Sequence, residues 1–386
     1  MANRVNVKPD LLRWAVDRAG LSVDSLTGVR VKPAARWLTG EAKPTLKQLQ
    51  DFAAAVHVPF GYLFLDQPPD EKIPIPDYRT YDNNHPRRPS PDLIDTLHEV
   101  KRRQDWMRDY LVETGAEKLA FVGSITEKQS VDDAVERIRH NLGLAVDWMF
   151  HRSNQDDARR FLRNAVDDAG ILISITGFVG MSTHRTLNPD EFCGFAICDD
   201  YVPALFVNNN ISLSSQMFTI AHELAHIGMG SEGVFDKADF YSKDEEFCDK
   251  IAAEFLVPKM LFREQWKKDN NGHSAFQNLA KAFKVSSIVI ARRAFDLDLI
   301  SSEVYFRFWN QEKKNWEDNK NKKPTKKSGG SPYRNYRVKL GKSFSEAVIS
   351  ATRSGFLSYR DAFRLTGLKG KTFDKYMGML QGCELD

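Results

Sequence analysis

Residues 218–226 read Phe218-Thr219-Ile220-Ala221-His222-Glu223-Leu224-Ala225-His226. On an α-helix, at about 100° per residue, His222 and His226 leave the same face one turn apart, and their imidazoles converge on one point. That geometry suits a tetrahedral metal ion, zinc above all. Glu223 is offset by one residue. It is poorly placed as a third ligand but well placed to hydrogen-bond a water on the metal, which is the position of a general base. Chance produces this pattern in roughly one per cent of chains of this length, so the neighbouring sequence has to decide.

Downstream, Glu245-Glu-Phe-Cys-Asp249 carries two carboxylates four residues apart on one helix face, while Phe247, Ile251, Ala252, Phe255 and Leu256 supply the buried side. Glu245 can then be the third ligand, with Glu246 and Glu254 as alternatives. Glu254 lies nine residues from Glu245, about half a turn round, so those two cannot face one metal. Asp249 can accept the free ring N–H of a ligand histidine and fix its tautomer. Two histidines on one helix face are ordinarily surface or core residues, and a carboxylate pair is ordinarily solvated; the two pairs together favour a three-ligand site with a fourth position open for water. Such a site hydrolyses bonds, with Glu223 taking the proton of the attacking water. The developing oxyanion needs a further donor, for which His184, Tyr201 and Tyr241 are candidates by sequence proximity.

Upstream of the motif the pattern is short, apolar and β-rich: Ile171-Leu-Ile-Ser-Ile175, Phe195-Ala-Ile197 and Ala204-Leu-Phe-Val207, bounded by Gly and Asn/Asp turns. A small sheet with the amphipathic motif helix packed under it is expected. The stretch from Glu191 to Val207 could present an edge to which an extended peptide adds as a strand. Residues 9–65 read as a compact helical unit, Thr45 starting its clearest helix. The proline-rich run over 66–92 marks a boundary, and helical patterns at 92–115 and 131–143 read as a connector. Residues 311–332 are a low-complexity basic linker, and a small helical unit follows from Tyr333 to about Leu380. In it, Ser358-Tyr-Arg-Asp-Ala-Phe-Arg-Leu-Thr-Gly-Leu-Lys369 looks like a helix-turn-helix fragment.

The chain of 386 residues is 42% hydrophobic and 28% charged, ordinary for a soluble globular protein with several cores. No run of about 18 apolar residues predicts a membrane span. The first residues lack a secretory signal, so a cytoplasmic, reducing location is expected for Cys193, Cys198, Cys248 and Cys383, none of which has CxxC spacing. The net charge of +3 hides an asymmetry: residues 301–386 hold 18 Lys/Arg against nine Asp/Glu, a net of +9, leaving −6 for residues 1–300.

On the segments Glu191-Phe-Cys-Gly-Phe-Ala-Ile197, Phe206-Val-Asn208, Gln216 to Ile227 and Glu245 to Pro258, the chain resembles the ImmA/IrrE family of metallo-endopeptidases. The resemblance covers most of residues 155–300. It implies that His222, His226 and Glu245 are zinc ligands and Glu223 the catalytic glutamate; Asp249 stands where the family often has Asn. Trp37-Leu-Thr-Gly-Glu-Ala-Lys-Pro-Thr-Leu-Lys-Gln-Leu49 resembles Xre-type helix-turn-helix domains, although Gly28 to Trp37 is short for a turn plus a recognition helix. Arg30, Lys32 and Arg36 are its candidate phosphate contacts. The unit could equally hold a partner repressor or pack on the protease.

The implied fold class is α+β, mostly α. An Xre-like domain spans residues 1–66, a linker and connector 67–154, and a zincin-like, gluzincin-type small-sheet-plus-helices protease 155–300. A basic linker (301–332) and a C-terminal domain (333–386) complete the chain. The implied activity is limited cleavage of a protein substrate, a transcriptional repressor or antitoxin encoded nearby, in stress response or toxin–antitoxin settings, with DNA as a possible partner of the N-terminal domain. The alternative is a DNA-binding regulator or toxin–antitoxin component whose zinc fold binds or senses without turnover.

Overall fold

The computed structural model describes residues 4–22, 31, 33–69, 89–231, 233–235, 243–268, 273–320 and 332–380. Two compact units divide the chain, one of residues 1–74 and 84–98, the other of residues 75–83 and 99–386. In the first, helices α1 (Pro9–Arg18), α2 (Ala34–Leu38) and α3 (Leu46–Ala55) enclose a core that includes Leu12, Trp37, Leu49 and Phe52. Thr45 caps α3 as expected, accepting from the Gln48 amide while the Gln48 side chain accepts from the Thr45 amide. Arg36 is exposed on α2, 3.7 Å from Glu41. Arg30 and Lys32 lie outside the described residues.

Helix α4 (Pro91–Glu113) leads into the second unit, followed by α5 (Val131–Leu142) and α6 (Gln155–Asp168). Ser130 and Asn154 cap the starts of α5 and α6, and Gly143, left-handed at φ 62°, ends α5. The sheet order is β1 (Leu172–Thr176), β3 (Ala204–Asn208), β2 (Gly194–Ile197), β4 (Gly233–Phe235). β1 runs parallel to β3, and the other pairs are antiparallel. Every residue of β2 and β3 is buried, which explains their continuous apolar runs. One face, through Ile173, Leu205 and Val207, meets the main core. The other carries the stacked Phe195–Phe206 pair, 4.9 Å between centroids.

Helix α7 (Leu213–Met229) holds the motif, and α8 (Lys243–Leu256), α9 (Lys259–Lys268), α10 (His273–Phe283), α11 (Ser287–Asp296) and α12 (Ser302–Lys320) follow. The chain closes with α13 (Pro332–Leu340), α14 (Lys342–Arg353), α15 (Tyr359–Thr366) and α16 (Lys371–Leu380). Among the described residues no helix is long and apolar enough to cross a membrane.

Three expectations change. Helix α7 is buried on every side from Ser214 to Gly228 except at Ser215 and Phe218, rather than amphipathic, because the sheet and helices α5, α6 and α8 enclose it. Neither β2 nor β3 is an edge: β3 pairs with β1 and β2, and β2 pairs with β3 and β4, so β4 is the outer strand on that side. Finally, Ile138 and Trp148 of the expected connector and Tyr305 and Phe308 beyond residue 300 share one core with the motif helix. Helix α13 likewise lies on β1, where the Ser174 hydroxyl donates to the Lys339 carbonyl at 2.5 Å.

Candidate metal centre

Ser212 caps the start of α7, and Gly230, left-handed at φ 71°, ends it just after His226. His222 and Glu223 are fully buried. Helix α8 packs along α7 and brings Glu245 over both imidazoles. The two Nε2 atoms lie 3.1 Å apart. Glu245 Oε2 is 3.0 Å from that of His222, and Oε1 is 3.2 Å from that of His226. Metal bonds of about 2.0–2.1 Å at tetrahedral angles put donor atoms roughly 3.4 Å apart, so these three side chains fit a metal with little movement. Among the described residues they form the one His/Cys/Asp/Glu group able to hold an ion.

The opposite ring nitrogens are engaged. His222 Nδ1 is 3.0 Å from Asp249 Oδ1, and His226 Nδ1 is 3.0 Å from Ser231 Oγ. Each Nδ1 is thereby turned outward, and each Nε2 faces the common point. The competing carboxylates point elsewhere. Glu246 is exposed and pairs with Lys250 at 2.7 Å, while Glu254 accepts from Arg293 and, at 2.9 Å, from the Lys259 amide that begins α9.

Glu223 stands apart from this network. Neither of its carboxylate oxygens has a hydrogen-bond partner among the described residues. They lie at the start of β2, where a Cβ on Gly194 would come 3.6 Å from Glu223 Oε1, 2.4 Å from Thr219 Cγ2 and 2.6 Å from the Phe206 carbonyl. Gly194 therefore lets the sheet close onto the Glu223 side of α7. Gly194→Ala should destabilise the fold by about 1–3 kcal/mol, read as a lowered unfolding midpoint; an unchanged midpoint would show that the contact is not tight.

The charges follow from this geometry. Burial opposes charge on His222, but hydrogen bonds to Asp249 and Glu245 prevail and raise its pKa to about 9. Burial raises Glu223 to about 8, with His222 pulling down and Glu245 pushing up. Burial would also raise Glu245, yet the bonds from His222 and His226 hold it at about 2. Cys248, buried beside these carboxylates, is pushed far above the usual thiol range. Cys193 is buried like Cys248, Cys198 is half-buried, and Cys383 lies outside the described residues.

Two of the expected oxyanion donors lie in different loops. His184 is exposed in the loop between β1 and β2, and Tyr201 sits in the loop between β2 and β3 with Lys118 6.0 Å from its ring centroid. Tyr241 lies outside the described residues. A cavity of about 720 Å³ opens beside the site, lined by Phe218 and Asp249 of α7 and α8 and by Ile288, Val289, Tyr305 and Trp309 of α11 and α12. Ser231 and Gly194 were missed from sequence. A serine after a helix-ending glycine and a glycine opening a strand carry no signal of what they will touch.

Two imidazoles and a carboxylate converge on one point, with a buried carboxyl beside them, a donor set able to hold a metal ion. Residues 166–295, from the end of α6 to α11, match the family model of the IrrE N-terminal-like domain, which supports the ImmA/IrrE family for this part of the chain. Peptidases of this group are generally metal-dependent. Residues 340–378 match a domain of unknown function. No curated protein matches the chain.

Proposed function

We propose that the chain is a cytoplasmic zinc endopeptidase making limited cuts in a partner protein, a repressor or antitoxin encoded nearby. The observation that carries this reading is the convergence of His222, His226 and Glu245 beside a buried Glu223 whose oxygens have no hydrogen-bond partner among the described residues. When bound at these three donors, zinc polarises the peptide carbonyl and acidifies water. Asp249 and Ser231 keep both imidazoles in the tautomer that presents Nε2. Glu223 takes the proton of the attacking water and returns it to the leaving amine, and burial keeps its proton affinity above that of an ordinary carboxylate, as a shuttle near neutrality requires. The neighbouring cavity has the size and apolar lining to seat a large substrate side chain.

Incubating the zinc-loaded chain with the product of the adjacent gene should give one defined fragment that Glu223→Gln abolishes. An intact partner at full zinc occupancy overturns the reading. The charges give an independent check. At pH 7 the metal-free site holds protons on His222 and Glu223, whose pKa values are about 9 and about 8. Metal binding should therefore release about one to two protons per ion at pH 7, and affinity should climb with pH towards 9. Titration calorimetry in buffers of different ionisation heat measures this, and proton-free binding would contradict the site.

A further inference from the structure

We propose that helices α14, α15 and α16 form a helix-turn-helix that binds duplex DNA, with α16 entering the major groove. This inference stands independently of the peptidase reading. Helix α15 has eight residues and α16 ten, joined by the four-residue turn Gly367–Gly370. Gly367 adopts φ 72°, a left-handed conformation that ends α15 and turns the chain. Leu368, in the turn itself, is buried, and its amide donates to the Thr366 hydroxyl at 3.2 Å. A turn anchored by an inward leucine fixes the angle between two helices, which a flexible linker would not.

The three helices share one small core. Phe373 of α16 is fully buried with its ring 5.3 Å from that of Phe363 and 6.2 Å from that of Tyr359, both on α15. Tyr376 of α16 meets Ser345 of α14 through a buried 2.7 Å hydroxyl–hydroxyl hydrogen bond. Phe344, Val348 and Ala351 complete the α14 side. The inward face of α16 is thus committed to packing, and its outward face is left for a partner.

That outward surface is cationic. Residues 342–380 hold seven Lys/Arg against three Asp/Glu. Arg360 and Arg364 stand four apart on α15, Lys371 and Lys375 four apart on α16, and Lys369 lies in the turn between; all five are exposed. Asp361, the acid nearest the first pair, is engaged by Ser358 in capping α15. Among the described residues Arg360, Arg364, Lys369 and Lys371 make no ion pair, whereas Arg292 and Arg307 pair with acids four residues away. Unpaired cations on the first helix, the turn and the start of the second match the docking of such a motif: the first helix crosses the phosphates, and the start of the second meets base edges. Phosphates are the polyanion spaced to take such a row of charges.

Fluorescence anisotropy of the full zinc-loaded chain on a labelled duplex of about 25 base pairs tests this. Binding should be micromolar or tighter at about 50 mM salt and weaken steeply as salt rises. The double variant Lys371→Glu/Lys375→Glu should lose at least tenfold in affinity and flatten the salt slope by about two. Unchanged metal content and unfolding midpoint would show it folded. Wild-type affinity in that variant, no salt-dependent binding, or equal competition by polyglutamate would each overturn the proposal.

Discussion

Glu223→Gln should leave the metal in place, cut turnover by roughly three to four orders of magnitude, and make the protein more stable. The first two effects follow from its position: the side chain lies beside the three donors without being one of them, so its loss removes the proton carrier alone. The stability gain follows from burial, because the fully buried Glu223 must take up a proton on folding near neutral pH, whereas the amide takes up none. Avoiding that uptake should recover on the order of 3 kcal/mol near pH 7 in the metal-free protein. The gain depends on pH. Glu223 titrates near 8 folded and near 4.5 unfolded, so folding favours its protonated form and the wild type loses stability as pH rises from 4.5 through 8. His222 acts in the same sense: its raised pKa of about 9 contributes stability that is complete below 6.5 and lost as pH rises through 9. The advantage of the Gln variant should therefore grow from pH 4.5 to 8 and then level off. Denaturant unfolding of both proteins across that range measures it, and a variant less stable than wild type at pH 8 would contradict the assignment.

His222→Ala should have the largest effect on the metal itself. It removes one of three protein donors and also the group that engages Asp249, so affinity should fall on the order of 10²–10³-fold and activity should become undetectable at micromolar zinc. Ser231→Ala is the informative comparison. Among the described residues its hydroxyl bonds to the far nitrogen of His226 and to the His226 carbonyl, so the change should cost about 10–100-fold in affinity or rate without removing a donor. Metal stoichiometry by atomic absorption separates the two. A His222→Ala chain that still carries one ion per molecule would rule out this centre, and a Ser231→Ala chain identical to wild type would show that Gly230 alone orients His226.

Helical periodicity put His222 and His226 on one face of α7 and Glu245 and Asp249 on one face of α8, and the structure brings the four side chains together, because spacing within one helix is a local property. It also left Glu246 and Glu254 open as alternatives. In the structure Glu246 is exposed and pairs with Lys250, while Arg293 and the start of α9 hold Glu254. Similarly, the apolar runs at 171–175, 195–197 and 204–207 were legible as strands, but their order was not. The strand Gly233–Phe235, too short to show a pattern, pairs with β2 and removes the edge expected there.

The sequence by itself pointed to the residues proposed to carry chemistry and to the helical or extended form of the segments that hold them, since both readings depend on neighbours within a turn or two. Only the tertiary structure decided how deeply the chemistry is buried, which atoms face the metal and what the two helices rest on. Those properties depend on groups brought together across the chain: Asp249 behind His222, Ser231 behind His226, and Gly194 opening the sheet to Glu223. Hydrogen bonds and close contacts of this kind leave no periodic trace in the residues that make them, because their partners are set by packing rather than by spacing.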